Sequence, residues 1–399
     1  LNAQDALPAE NIIYDKDIKS VSVHAVGDER RLPIISMSQY LKISFDDLNL
    51  DYREYVYTIV HCDRNWNPSD LSPDEYLTGF NDADLDDYLP SRGTFVDYNH
   101  YQIILPNDDM GWRVSGNYLF LLKDRESQSI TFTHRFVVFE RLLKIAGELR
   151  RPTRYLDTHD EVQFSINTKN INLDDPMLNL TTNITQNQDW NNTIADVEPR
   201  RQLADEIFFD YHNTLVFPSM KNYRLADLRS ARSSNYRIHS LNRYSDAIEV
   251  TIKTDKIRAR SFILDDNQDI NGAYVINNAD GYDTDTESEY MWVMFSLRFP
   301  YPPPDAKVFL LGEFNEYMAN DESVMECDED GELFYREVLL KQGVYDYVYA
   351  TKTSIDEDLS YEYTEGFDNR ADNEYHLVIY HRSFVTKYDR VVGYARLGA

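Results

Sequence analysis

Tyr55-Val56-Tyr57-Thr58-Ile59-Val60-His61 is built of β-branched and aromatic side chains with no Gly or Pro, and such a run reads as a strand. Runs of the same kind recur at 21–26, 40–45, 101–105, 117–123 and 131–139, each bounded by Asn, Asp, Gly or Pro. That spacing is the signature of a sandwich of short antiparallel strands, and helical periodicity is nearly absent from the chain. The fold class is therefore all-β. At 399 residues the chain is too long for one core, and three consecutive immunoglobulin-like β-sandwich domains are expected. The first spans 1–141 and contains a long loop, 66–89, in which Asn67-Pro68, Ser72-Pro73 and many Asp residues break the strand pattern. The second spans 142–284, with strands at 161–167, 178–186, 206–211, 249–253 and 273–276. A hydrophilic run at 277–290 sets a boundary near Asp285, and the third domain takes 285–399.

Sixty-nine acidic residues against 40 basic ones leave a formal charge of -29. Such a chain repels phosphate backbones and anionic membrane surfaces, so nucleic acid is not an expected partner. Acidity of this size also occurs in disordered chains, but 30 Tyr, 19 Phe and 4 Trp supply apolar bodies that disordered chains lack. No run approaches the roughly 20 apolar residues of a membrane helix, so direct membrane insertion is not expected. Leu1-Asn2-Ala3-Gln4 is similar to the junction left by a cleaved secretory signal, which points to export. Cys62 and Cys327 lie far apart in sequence, and a disulfide between them is not expected.

Motifs for chemistry are weak. Glu326-Cys327-Asp328-Glu329-Asp330-Gly331, with Glu337 at the twelfth position, mimics a calcium loop, yet Asp330-Gly331 followed by an alternating run reads better as a hairpin turn. Asp283-Thr284-Asp285-Thr286-Glu287 has Ser288 where that motif needs Gly, and reads as a solvated loop. His61-Cys62-Asp63 has no partner motif for zinc and reads as the end of a core strand. No GxSxG turn or phosphate-binding glycine loop is present, so no catalytic residue, metal ligand or cofactor is assigned. One feature stands out against the acidity: Arg224, Arg229, Arg232, Arg237 and Arg243 lie close together between Asn213 and Tyr244. Arg224, Arg229, Arg232 and Arg237 are the candidate partner contacts, since guanidinium forks pair well with carboxylates at interfaces. The alternative is that they neutralise the chain's own acids.

The first domain resembles the plug protein family of the type IX secretion system of Bacteroidetes. The resemblance is carried by Tyr14-Asp15-Lys16-Asp17-Ile18-Lys19, by Leu41-Lys42-Ile43-Ser44-Phe45-Asp46-Asp47-Leu48, and by the stretch from Tyr57 through Asp63, Trp66, Pro68-Ser69, Glu75-Tyr76-Leu77 and Gly79-Phe80. It continues through Leu105-Pro106-Asn107-Asp108-Asp109-Met110, Ser115-Gly116-Asn117-Tyr118, Arg135-Phe136-Val137-Val138-Phe139-Glu140, Asp157-Thr158-His159-Asp160-Glu161-Val162 and Tyr223-Arg224. The resemblance implies a non-enzymatic periplasmic protein whose partners are a large outer-membrane translocon barrel and its accessory subunits. It implies that the barrel's periplasmic opening is sealed while no substrate is in transit. The third domain is similar to early-set sandwiches related to glycogen-binding modules, through Val308-Phe309-Leu310-Leu311-Gly312-Glu313-Phe314-Asn315 and Gly343-Val344-Tyr345-Asp346-Tyr347. There Tyr317 stands where such modules stack sugar, and a turn-packing role is expected for it. The competing reading is a secreted or periplasmic carbohydrate-binding protein, with a glycosidase third; an exposed aromatic platform on the third domain would favour sugar.

Overall fold

The computed structural model describes residues 10–398 apart from 52, 170, 172, 262–268, 282 and 355–357, so the stretch Leu1 to Gln4 lies outside the described residues. In the first sandwich, Tyr55–Cys62 alternates buried and half-buried side chains and pairs antiparallel with Gly116–Asp124, which pairs in turn with Ile130–Phe139. This six-stranded sheet faces a four-stranded one ordered Ile18–Ala25, Leu41–Asp47, Asn99–Leu105, Tyr88–Pro90. Aromatic rings fill the space between them: Phe45 and Tyr101 stack with centroids 4.9 Å apart, and Tyr118 and Phe136 stack at 5.3 Å. The expected long loop at 66–89 is ordered rather than free. It folds into one helical turn, Pro73–Tyr76, capped by Ser72 and Glu75, and three short strands that pair with the sandwich.

The two other sandwiches are not consecutive. One sheet of the second contains His159–Asn167 between Lys144–Arg150 and Glu206–Phe209. Its opposing sheet is ordered Thr193–Val197, Leu180–Gln186, Glu374–His381, Arg390–Gly398, so two strands come from the end of the chain. The third sandwich is closed by Arg224–Asp227, which pairs with Gly343–Lys352, and by Ile248–Ile252, which pairs with Tyr290–Arg298. Strand pairing therefore crosses the boundary expected at 284/285. Segments 224–227, 238–256 and 274–276 belong with the third core, and 374–398 belongs with the second. The third sandwich is inserted into the second, between Ser219 and Asn373. The two crossing points are tied together, because Asn373 Nδ2 donates to the Met220 carbonyl at 2.9 Å and the Asp368 N–H donates to the Ser219 carbonyl at 2.9 Å.

Candidate functional site

What distinguishes this molecule is how the three sandwiches are joined. Between the first and second, Leu32, Ile34, Val137, Phe139, Val378, Tyr380 and Val391 form one buried apolar cluster. Trp66 meets Trp190 edge to face at 5.2 Å beside it. Arg390 forks onto Glu140 with both hydrogen bonds at 2.6 Å, and Tyr380 donates to Asn117 Oδ1 at 2.9 Å.

Between the first and third the joint is polar. Asp46, fully buried on Leu41–Asp47, accepts from Tyr290 OH and from Lys341 Nζ at 2.7 Å each, and His100 Nδ1 lies 2.7 Å from its other oxygen. Burial pushes the Asp46 carboxyl up, but Lys341 and His100 outweigh it and hold the group below the usual carboxylate range. Lys341 also donates to the Asp285 carbonyl and sits 4.1 Å over the Tyr98 ring.

All three sandwiches meet at a cluster of acids, buried Asp189 and half-buried Glu313 and Glu316. Asp189 of the second is raised to about 6 by burial, and Glu316 of the third adds to the shift. Glu313 is raised to about 8, first by burial and then by Glu316, although it accepts the Tyr274 N–H at 2.8 Å. Gln188 Nε2 and Oε1 and Trp190 Nε1 are buried here without partners, around a hollow of about 10 Å³, which is room for a single water. Because the folded pKa of Glu313 stands above its unfolded value of 4.5, the stability it contributes is full below pH 4.5 and is lost as pH rises through 8. Unfolding free energy is expected to fall between pH 6 and 8 with a slope of up to about 1.4 kcal/mol per unit from this group. Glu313→Gln removes that slope in urea titrations across this range; an unchanged slope refutes the assignment.

The arginine segment divides between buried and exposed positions. Arg224 is only 6% exposed and binds Glu365 through Nε at 3.0 Å and Asp255 through Nη1 at 2.9 Å. Arg237 joins the same network, donating to Asp255 at 2.9 Å and to Tyr347 OH at 2.6 Å. Arg224 is an internal brace, and half-buried Arg237 spends its guanidinium on the same acids, as the alternative reading had it. Arg229 is exposed and forks onto Asp227, and Arg232 is exposed. Sequence reasoning missed Arg258, which completes the network by donating to Glu365 at 2.7 Å. It missed Lys341 as well, because a Lys inside a strand reads as solvated.

Tyr317 is buried and donates to the Gly272 carbonyl at 2.7 Å, a packing role. The run from Glu326 forms the expected hairpin, with Asp328 accepting the N–H groups of Glu332 and Leu333 at 3.0 Å and Gly331 at φ +73°. His61 and Cys62 end a core strand, and burial pushes the Cys62 thiol up to about 12. Trp292 is 41% exposed on the outer face of the third sandwich, beside Tyr244, Asp246, Glu249 and Glu337.

A family model described as the type 9 secretion system plug protein 1st domain matches residues 18–140. The crystal structure of a hypothetical protein from Parabacteroides merdae ATCC 43184 superposes with a TM-score of 0.92 at 30% identity, covering 98% of this chain and 99% of that one. No curated protein matches. The match over the first sandwich places this chain among the proteins that carry a type 9 secretion system plug protein 1st domain.

Proposed function

We propose that this chain is a non-enzymatic plug that docks at the periplasmic opening of the type IX outer-membrane translocon and seals it while no substrate is in transit. Its partners are then the large translocon barrel and its accessory subunits. The observation that supports this reading is the way the sandwiches are joined: apolar burial, forked ion pairs and a buried Asp46–Lys341 contact tie three units into one broad body. A stopper needs shape and stiffness rather than a chemical centre. In this reading exposed Arg229 and Arg232 meet an acidic rim on such a partner.

The test is to tag the protein in its native bacterium, extract the outer membrane gently and identify what co-purifies. Recovery of a very large outer-membrane barrel, with a leaky envelope when the gene is deleted, is the expected result. A second reading, glycan binding, is favoured by exposed Trp292 with Tyr244 beside it. Recovery without a barrel, together with retention on a polysaccharide column that Trp292→Ala abolishes, overturns the plug and establishes that reading.

A further inference from the structure

A cleft of about 380 Å³ opens on one side of the third sandwich, between strand Leu333–Lys341 and segment 12–20 of the first sandwich. Among the described residues the strand is paired on this side only at its start, where Glu326 and Cys327 oppose Tyr335 and Phe334. From Arg336 onward it is a free sheet edge. Successive residues of an antiparallel strand aim their N–H and C=O to opposite sides, and two contacts fix the alternation. The Leu333 carbonyl accepts the Asp328 N–H at 2.9 Å on the cleft side, whereas the Gln342 N–H donates to the Glu289 carbonyl at 2.9 Å on the other. Odd-numbered Glu337 and Leu339 therefore turn their main-chain groups into the cleft. Among the described residues no backbone hydrogen bond reaches them there.

Segment 12–20 spans the cleft instead of closing it. It is held at one end by Asn11 Nδ2, which donates to Glu316 at 2.8 Å, and at the other by Ser20 Oγ, 2.8 Å from Tyr290 OH. The floor is apolar, made by Leu310, Phe314 and Val338. Arg336 lines the cleft with its Nε buried and without a partner. Among the described residues Arg336, Lys16 and Lys19, which all face this space, make no ion pair, and the Arg336 guanidinium meets only the neutral Val324 carbonyl, 3.3 Å from Nη1.

These features ask for one kind of occupant. An unpaired edge is completed by another strand, an apolar floor takes alternate side chains of that strand, and an uncompensated guanidinium takes a carboxylate. A small apolar molecule would cover the floor and leave the edge unpaired. We propose that the cleft is a strand-addition site for an extended, acid-bearing segment of a partner protein. The segment pairs its main chain with Glu337 and Leu339, lays alternate apolar side chains on Leu310 and Phe314, and sets an Asp or Glu against Arg336. The site is independent of the translocon reading, since any protein that carries such a segment satisfies it.

The probe is a phage-displayed library of random dodecapeptides panned on the full chain, with the best binder then made synthetically. The expected binder alternates apolar and polar residues and carries an acid. Glu337→Pro, which removes an outward N–H at an edge where proline is tolerated, should weaken it roughly tenfold, while Glu337→Ala, which keeps the N–H, should change it less than about threefold. Arg336→Met should also cost roughly tenfold. Amide exchange on the unaltered chain supplies a readout that needs no variant: the Glu337 and Leu339 amides should slow when the peptide binds. Equal weakening by Pro and Ala, protection only elsewhere on the molecule, or failure of the library to yield any binder each overturns the proposal.

Discussion

Asp46→Ala is expected to lower the unfolding free energy by about 3–5 kcal/mol, because it strands the Lys341 ammonium in a site where that side chain is 2% exposed. The carboxylate also accepts from Tyr290, so its loss removes a second link between the first and third sandwiches. Tyr290 keeps Ser20 as a partner, but Lys341 keeps no carboxylate among the described residues, just the Asp285 carbonyl and the Tyr98 and Tyr290 rings. The damage should therefore follow the charge more than the hydroxyl. Lys341→Met alone should cost a similar amount, and the double variant Asp46→Leu with Lys341→Met should cost less than the sum, since a buried pair replaced by apolar groups leaves no uncompensated charge. The measurement is urea unfolding followed by near-ultraviolet circular dichroism, with amide exchange on Leu41–Asp47 and Tyr290–Arg298 locating the loss at this joint. Single variants that each lose under about 1 kcal/mol would show that the contact is relaxed by water and does not brace the two sandwiches.

The strands of the first sandwich are legible because each alternates and each finds its partner within a short stretch of chain. Tyr55–Cys62 alternates almost perfectly in burial, and its neighbours follow within the same domain. The insertion of the third sandwich is not legible in this way. Every residue of Glu374–His381 is buried, so no alternation says which face belongs to which core. Its partner Leu180–Gln186 lies nearly two hundred residues earlier, and nothing local links them. Length and hydrophilicity are the remaining cues, and they put the boundary at the hydrophilic run before Tyr290, which the structure half-buries, rather than at Ser219. The arginine segment misled for a related reason. Arg224-Leu225-Ala226-Asp227 buries Arg224 and Ala226, so an arginine holds an inward position of a strand. The period-two pattern around Ala226 was available as a signal, but the carboxylate that makes the position habitable, Glu365, is 141 residues away. Tyr317 follows the turn at 312–315, which suggests packing, but its hydrogen-bond partner Gly272 lies 45 residues earlier and no local pattern shows it.

Glu365→Ala is expected to cost about 3–5 kcal/mol, since it leaves buried Arg224 and largely buried Arg258 without their shared carboxylate. The acid limb of stability gives an independent check. Burial pushes the Glu365 carboxyl up, yet Arg224 and Arg258 outweigh that and bring it down to about 2. Its folded pKa lies below the unfolded value of 4.5, so its contribution is fully present above pH 4.5 and is lost as pH falls towards 2. In urea titrations between pH 2 and 5, the unaltered chain should lose up to about 1.4 kcal/mol per unit through this group, a slope that Glu365→Gln should lack. A Glu365→Gln chain with the same acid slope would mean that the carboxylate is not the one holding these guanidiniums. The same network separates internal arginines from those a partner can use. Arg224→Ala breaks a buried brace and should destabilise as strongly as Glu365→Ala, whereas Arg229→Ala, at an exposed fork with Asp227, should stay within about 0.5 kcal/mol. Any loss of partner binding by Arg229→Ala can then be read as a lost contact, because the fold that presents it is unchanged.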